Sequence, residues 1–64
     1  MRKRINELAA KHGLTIAEVE RRCGIKPGTI RRWDKHKPLA ENLAAVARVL
    51  ETTVEYLLGE RETA

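Results

Sequence analysis

The chain has 64 residues, 42% of them hydrophobic and 34% charged, with a formal net charge of +4. That length limits it to one small domain with a modest core, and that composition excludes a disordered chain. A single cysteine excludes an internal disulfide and points to a reduced, cytosolic protein. No apolar run approaches the roughly 20 residues of a membrane span, and Asn6, Glu7 and Lys11 interrupt any signal-peptide core behind the basic start. With one Trp, one Tyr and no Phe, the core must be Leu, Ile, Val and Ala, which favours helix packing. The charge is uneven. Met1 to Lys37 holds 11 Lys/Arg against 4 Asp/Glu, and Pro38 to Ala64 holds 2 against 5. An amino-terminal part at +7 and a remainder at −3 point to an anionic partner or, more plainly, to a solvated basic face.

Five helices and no strand are expected, giving an all-α domain over 1–59 with a short tail at 60–64. Arg2, Lys3 and Arg4 form a mobile basic start, with a short phosphate-touching arm as the alternative. Ile5, Leu8, Ala9 and His12 then fall on one helical stripe, and Gly13 ends it. The second helix opens on Thr15 and Glu18, which have the spacing of a capping box. Ile16, Val19 and Cys23 make its apolar side, and Gly24 closes it. The third begins near Pro27, since proline is tolerated at a first helical position and disfavours helix at Lys26 before it. Helices separated by so few residues cross steeply. The fourth runs from about Leu39 to Leu50 on Leu39, Ala40, Leu43, Ala44, Ala47 and Leu50, with Val46 and Val49 widening the stripe and no good capping side chain. The fifth passes through Val54, Leu57 and Leu58 after Thr52 or Thr53; either threonine can cap it, and Thr52 with Glu55 has the box spacing.

From Pro27 to Lys35 a helical wheel places Ile30 and Trp33 on one side and Gly28, Arg31, Arg32 and Lys35 on the other. The first pair belongs with the core. The second makes a cationic strip, with Asp34 at its flank to orient Arg31 or cap a neighbouring helix. A B-form major groove admits one α-helix, and Arg can donate two parallel bonds to guanine. Lys35, His36 and Lys37 would lie by the sugar-phosphate backbone. The amino ends of the second and third helices offer amides to phosphate.

The run LTIAEVERRCGIKPGTIRRWD, Leu14 to Asp34, resembles the helix-turn-helix of lambda-repressor-like (Cro/CI, Xre-type) DNA-binding domains. Val19, Cys23, Gly24, Ile25, Ile30 and Trp33 carry the apolar-and-glycine framework, and Pro38, Leu43, Ala47, Leu50 and Val54 to Gly59 resemble the last two helices of short phage-repressor-like regulators. The resemblance covers roughly Ile5 to Gly59. It implies a five-helix, sequence-specific binder of a double-stranded operator, bacterial or phage-encoded, nucleoid-associated, acting as a homodimer on inverted half-sites about one helical turn apart. This chain departs from the common pattern at three places. Ile16 stands where many members have a phosphate-binding Gln, Glu20 where many have a small residue, and Pro27 and Gly28 where members often read bases with polar side chains.

The DNA-facing set is therefore Ile16, Lys26, Pro27, Gly28, Thr29, Arg31, Arg32, Lys35, His36 and Lys37. Gly28 would let the helix backbone approach the bases, and Pro27 could meet a thymine methyl. Hydrogen-bonded readout falls to Thr29, Arg31 and Arg32, with one arginine on guanine and the other on phosphate. Val54, Tyr56, Leu57 and Leu58 either close the core or form the dimer contact, and a split is expected, one side inward and one toward a second copy. Cys23 reads as a small buried apolar residue. His12, His36 and Cys23 have no zinc spacing, and no catalytic set or phosphate loop is present, so neither enzyme activity nor a cofactor or metal is expected. Two other functions stay open: an antitoxin-type DNA-binding partner of a toxin, and a protein-interaction module on the same fold.

Overall fold

A computed structural model describes residues 1–62 of the chain. Among the described residues there are five helices and no strand: α1 (Arg2–Lys11), α2 (Ile16–Cys23), α3 (Thr29–Arg32), α4 (Ala40–Val49) and α5 (Val54–Leu57). Thr63 and Ala64, the end of the expected tail, lie outside the described residues.

Each helix exists because one of its faces has somewhere to go. Ile5, Leu8 and Ala9 of α1, Val19 of α2, Ile30 of α3, Leu43, Val46 and Ala47 of α4, Leu50 just past it, and Leu57 of α5 form one buried cluster. In it α1 packs on α2 and α5, α4 packs on the same two, and α3 rests on α2. The absence of Phe is met by branched aliphatics: Ile5, Val19, Ile30, Val46, Leu50 and Leu57 are all fully enclosed.

The local signals differ in how they act. At α2 the capping box forms as its spacing predicts: the Thr15 hydroxyl accepts from the Glu18 amide at 3.1 Å, and the Glu18 carboxylate accepts from the Thr15 amide at 3.0 Å. At α5 the cap is Thr53, which accepts from the Tyr56 amide at 3.1 Å. The Thr52–Glu55 box does not form, and the Thr52 hydroxyl is buried without a partner. The start of α4 indeed has no side-chain cap. Leu39 and Ala40 leave the expected apolar stripe: Leu39 has extended backbone before the first turn, which takes it out of helical phase, and it is 64% exposed. His12 also leaves its stripe. At the end of α1 it is exposed, and its ring Nε2 donates to the Leu50 carbonyl at 3.0 Å.

The basic start is not a loose arm. Arg2 and Arg4 lie in the first turn of α1, where no acidic residue offsets them. Arg4 instead donates to the Tyr56 carbonyl at 2.8 Å and the Arg61 carbonyl at 2.6 Å, with its guanidinium 4.4 Å from the Tyr56 ring centre. The Tyr56 carbonyl, which already accepts from the Gly59 amide, thus takes a second donor from a cation, the charge that suits the carboxyl end of a helix, and the aromatic face adds to its hold.

Candidate nucleic-acid interface

The chain leaves α2 through Gly24, whose left-handed backbone (φ 72°) turns it out of the helix. The amides of Gly24 and Ile25 fold back onto the carbonyls of Arg21 and Glu20, which satisfies the last turn of α2. The next segment differs from the expected helix over Pro27 to Lys35. Lys26, Pro27, Gly28 and Thr29 form a turn closed by the Thr29 amide on the Lys26 carbonyl at 3.1 Å. Gly28 has φ 89° and ψ −5°, the values of the third residue of a type II turn, with proline favoured just before it. Pro27 and Gly28 thus shape the turn, and α3 begins only at Thr29. Within the protein Gly28 is required by its backbone angle and not by the close approach of another part of the chain, since a Cβ placed there would meet nothing within 4 Å. After Arg32 the chain keeps coiling loosely, with the amides of Lys35 and His36 both on the Arg32 carbonyl.

A helix that starts on glycine has no side chain to cap it. Glu20, on α2, supplies the acceptor. Its carboxylate takes the Gly28 amide at 3.2 Å on Oε1 and 3.1 Å on Oε2, and the Ile30 amide at 3.0 Å on Oε2. Glu20 is only 3% exposed, and a buried carboxylate is tolerable when its oxygens are hydrogen-bonded. These bonds narrow one expectation: at the amino end of α3 the Gly28, Thr29 and Ile30 amides are used inside the protein and are not offered to phosphate. Sequence inspection marks Glu20 only as a departure from a common pattern. The signal it carries is the missing cap on the following helix.

The cationic residues come together as the helical wheel predicts. Ile30 is fully buried and Trp33 packs half-buried against the core. On the other side Arg31, Arg32, Asp34, Lys35 and His36 surround one shallow recess of about 320 Å³. All five are exposed, as are Lys26, Pro27 and Lys37. Asp34 neither orients Arg31 nor caps a helix; it pairs with Arg2 of α1, tying the carboxyl end of α3 to the amino-terminal helix. Arg2 is thereby brought beside the strip, a juxtaposition across 32 positions that no local pattern signals. Thr29 is half-buried, and its hydroxyl donates to the Lys26 carbonyl at 2.6 Å. Only its lone pairs remain, so it can accept from a base amino group but not donate. Ile16, the first residue of α2, is half-buried against the core.

The four residues expected at a dimer contact divide. Leu57 is fully buried and is a core residue, so it drops out of that surface. Tyr56 is half-buried beneath Arg4. Val54 and Leu58, the latter 45% exposed, line an apolar groove of about 790 Å³ with Trp33, Pro38, Leu43 and Ala44. Cys23 is half-buried, and burial pushes its thiol pKa up, away from reactivity. Among the described residues no three His, Cys, Asp or Glu side chains are grouped to hold a metal ion, and no helix is long and apolar enough to cross a membrane.

A helix-turn-helix family model matches residues 5–57, from the core of α1 to the buried end of α5. No curated protein and no solved structure matches the chain. The matched span contains the two helices, the turn that joins them and the exposed basic face of the second. The chain belongs to the helix-turn-helix family, of the lambda-repressor-like Cro/CI and Xre type, and is a DNA-binding transcription regulator.

Proposed function

We propose that the protein is a phage-type repressor that reads the major groove with α3 and the turn before it, as a homodimer on two inverted half-sites. The observation that carries this reading is the gathering of Arg31, Arg32, Lys35 and His36 around one exposed recess while Ile30 and Trp33 seat the opposite side in the core. A helix held from behind can press a cationic front into a groove. Among the described residues neither Arg31 nor Arg32 is engaged in an ion pair, so both guanidinium groups are available. One takes guanine O6 and N7 and the other a phosphate. Lys26, Lys35, His36 and Lys37 extend the backbone contacts on either side. Pro27 offers an apolar surface to a thymine methyl, Thr29 an acceptor, and Ile16 an apolar edge. Gly28 contributes through the turn it permits. The groove lined by Val54 and Leu58 is the seat for the second copy.

Selection of binding sites from a random duplex pool tests the whole reading. Enrichment of two inverted half-sites about one helical turn apart is the expected outcome. A salt titration on the selected duplex should show affinity falling with a slope of about −0.9 per phosphate neutralised. No measurable duplex affinity at low salt would overturn the reading and leave the basic strip to an acidic protein partner.

A further inference from the structure

We propose that Glu20 is a positioning residue for sequence readout: its buried carboxylate fixes the amino end of α3 on α2 and so sets how Arg31 and Arg32 meet the bases. The inference rests on the proposed DNA-binding function.

α3 has four residues, far too few to hold a helical conformation unaided. Its attachment must therefore come from tertiary bonds. Ile30 anchors it in the core and Trp33, just past its carboxyl end, packs half-buried against the same cluster, but neither holds the amino end, which can still pivot. Glu20 ties that end, through the bonds to the Gly28 and Ile30 amides that flank Thr29. The Arg2–Asp34 pair adds a further tie at the carboxyl end. Arg31 and Arg32 lie between these ties. Bidentate recognition of guanine demands two aligned bonds, so a small change in the pitch of α3 costs specificity without removing any DNA contact. Phosphate binding is more forgiving, because it depends on charge more than on angle. Glu20 therefore acts on discrimination between sequences more than on affinity for DNA in general.

The test uses the full chain with Glu20→Met and Glu20→Gln. Methionine keeps the unbranched shape and removes both acceptors. Glutamine can keep one oxygen where Oε2 now accepts from both amides. Amide hydrogen exchange on the free protein reads the tie directly. In the Met variant the Gly28 and Ile30 amides should exchange roughly tenfold faster relative to those of α4, with the Gln variant between. Affinity is then compared on a duplex selected by the wild-type protein and on a scrambled duplex. The selected duplex should lose about tenfold in the Met variant while the scrambled one stays within about threefold, and Gln should restore part of the difference. An equal fall on both duplexes means that the residue acts only through overall stability and overturns the proposal, as does wild-type exchange at both amides. Should the Met variant not fold, the Gln variant alone must show the same split; identical discrimination there is also a refutation. A wild-type chain that selects no duplex refutes the DNA reading instead, and exchange still decides whether the tie exists.

Discussion

The two helices of the motif begin in opposite ways. α2 is capped by its own residues, Thr15 and Glu18, three positions apart and at the surface. α3 starts on a glycine with no cap of its own and takes its acceptor from Glu20, eight to ten positions earlier and buried. The first turn of α2 can thus form from local bonds, while the first turn of α3 exists only once α2 is in place beneath it. The helix proposed to meet DNA is a product of tertiary structure. Its geometry is inherited from the helix behind it.

The largest expected effect separates these two starts. Glu20→Ala leaves two amides without their acceptor, one of them on the buried Ile30, and should cost about 2–3 kcal/mol. A chain of this size has only about 3–10 kcal/mol of stability in all, so denaturant unfolding should show a marked drop in midpoint. A loss no larger than that of Thr15→Ala would break the comparison. Gly28→Ala comes next, at about 1–2 kcal/mol, because a side chain at φ 89° is strained. Since a Cβ there meets nothing within 4 Å, relief by a smaller neighbour should be impossible, and Gly28→Asn, which tolerates the left-handed region better, should recover part of the loss. Thr15→Ala should cost about 1 kcal/mol. The Thr15→Ala and Glu20→Ala losses should add within about 0.5 kcal/mol, because the two caps share no partner.

The same contrast explains what can be read from the sequence. The five helices, the box at Thr15 and Glu18, and the split of Ile30 and Trp33 from Arg31, Arg32 and Lys35 are all patterns of three or four positions. Once the backbone coils, such patterns sort side chains between core and surface without reference to distant residues. Sequence places the start of α3 two residues early because proline suits both a first helical position and the second residue of a type II turn; only the backbone at Gly28 decides between them. Leu57 is not separable from Leu58 by sequence, since both lie beside the core stripe and packing chooses one. Glu20 and Arg2 escape notice for another reason. Their partners are Gly28 and Ile30 in one case and Asp34 in the other, and which elements approach is a property of the whole fold.

The smallest expected effect probes the local cap through acidity. The Thr15 amide donates to the Glu18 carboxylate, as does the Thr15 hydroxyl, with Arg21 and Arg22 nearby; together they hold the Glu18 pKa below its ordinary 4.5. A carboxyl whose pKa is depressed on folding stabilises the fold when ionised. Its contribution is therefore complete above the ordinary value and disappears as the pH falls through the depressed one. Glu18→Gln keeps the shape of the box but does not ionise. The gap between wild-type and Glu18→Gln midpoints should thus narrow as the pH is lowered from about 7 to about 3. A gap that stays constant over that range would show that the charge on Glu18 contributes nothing to the start of α2. Amide exchange at Gly28 and Ile30 should be indifferent to the substitution, because their acceptor is Glu20 and not Glu18. Faster exchange there would mean that the two starts are coupled through α2, and that α3 senses the cap at the far end of α2.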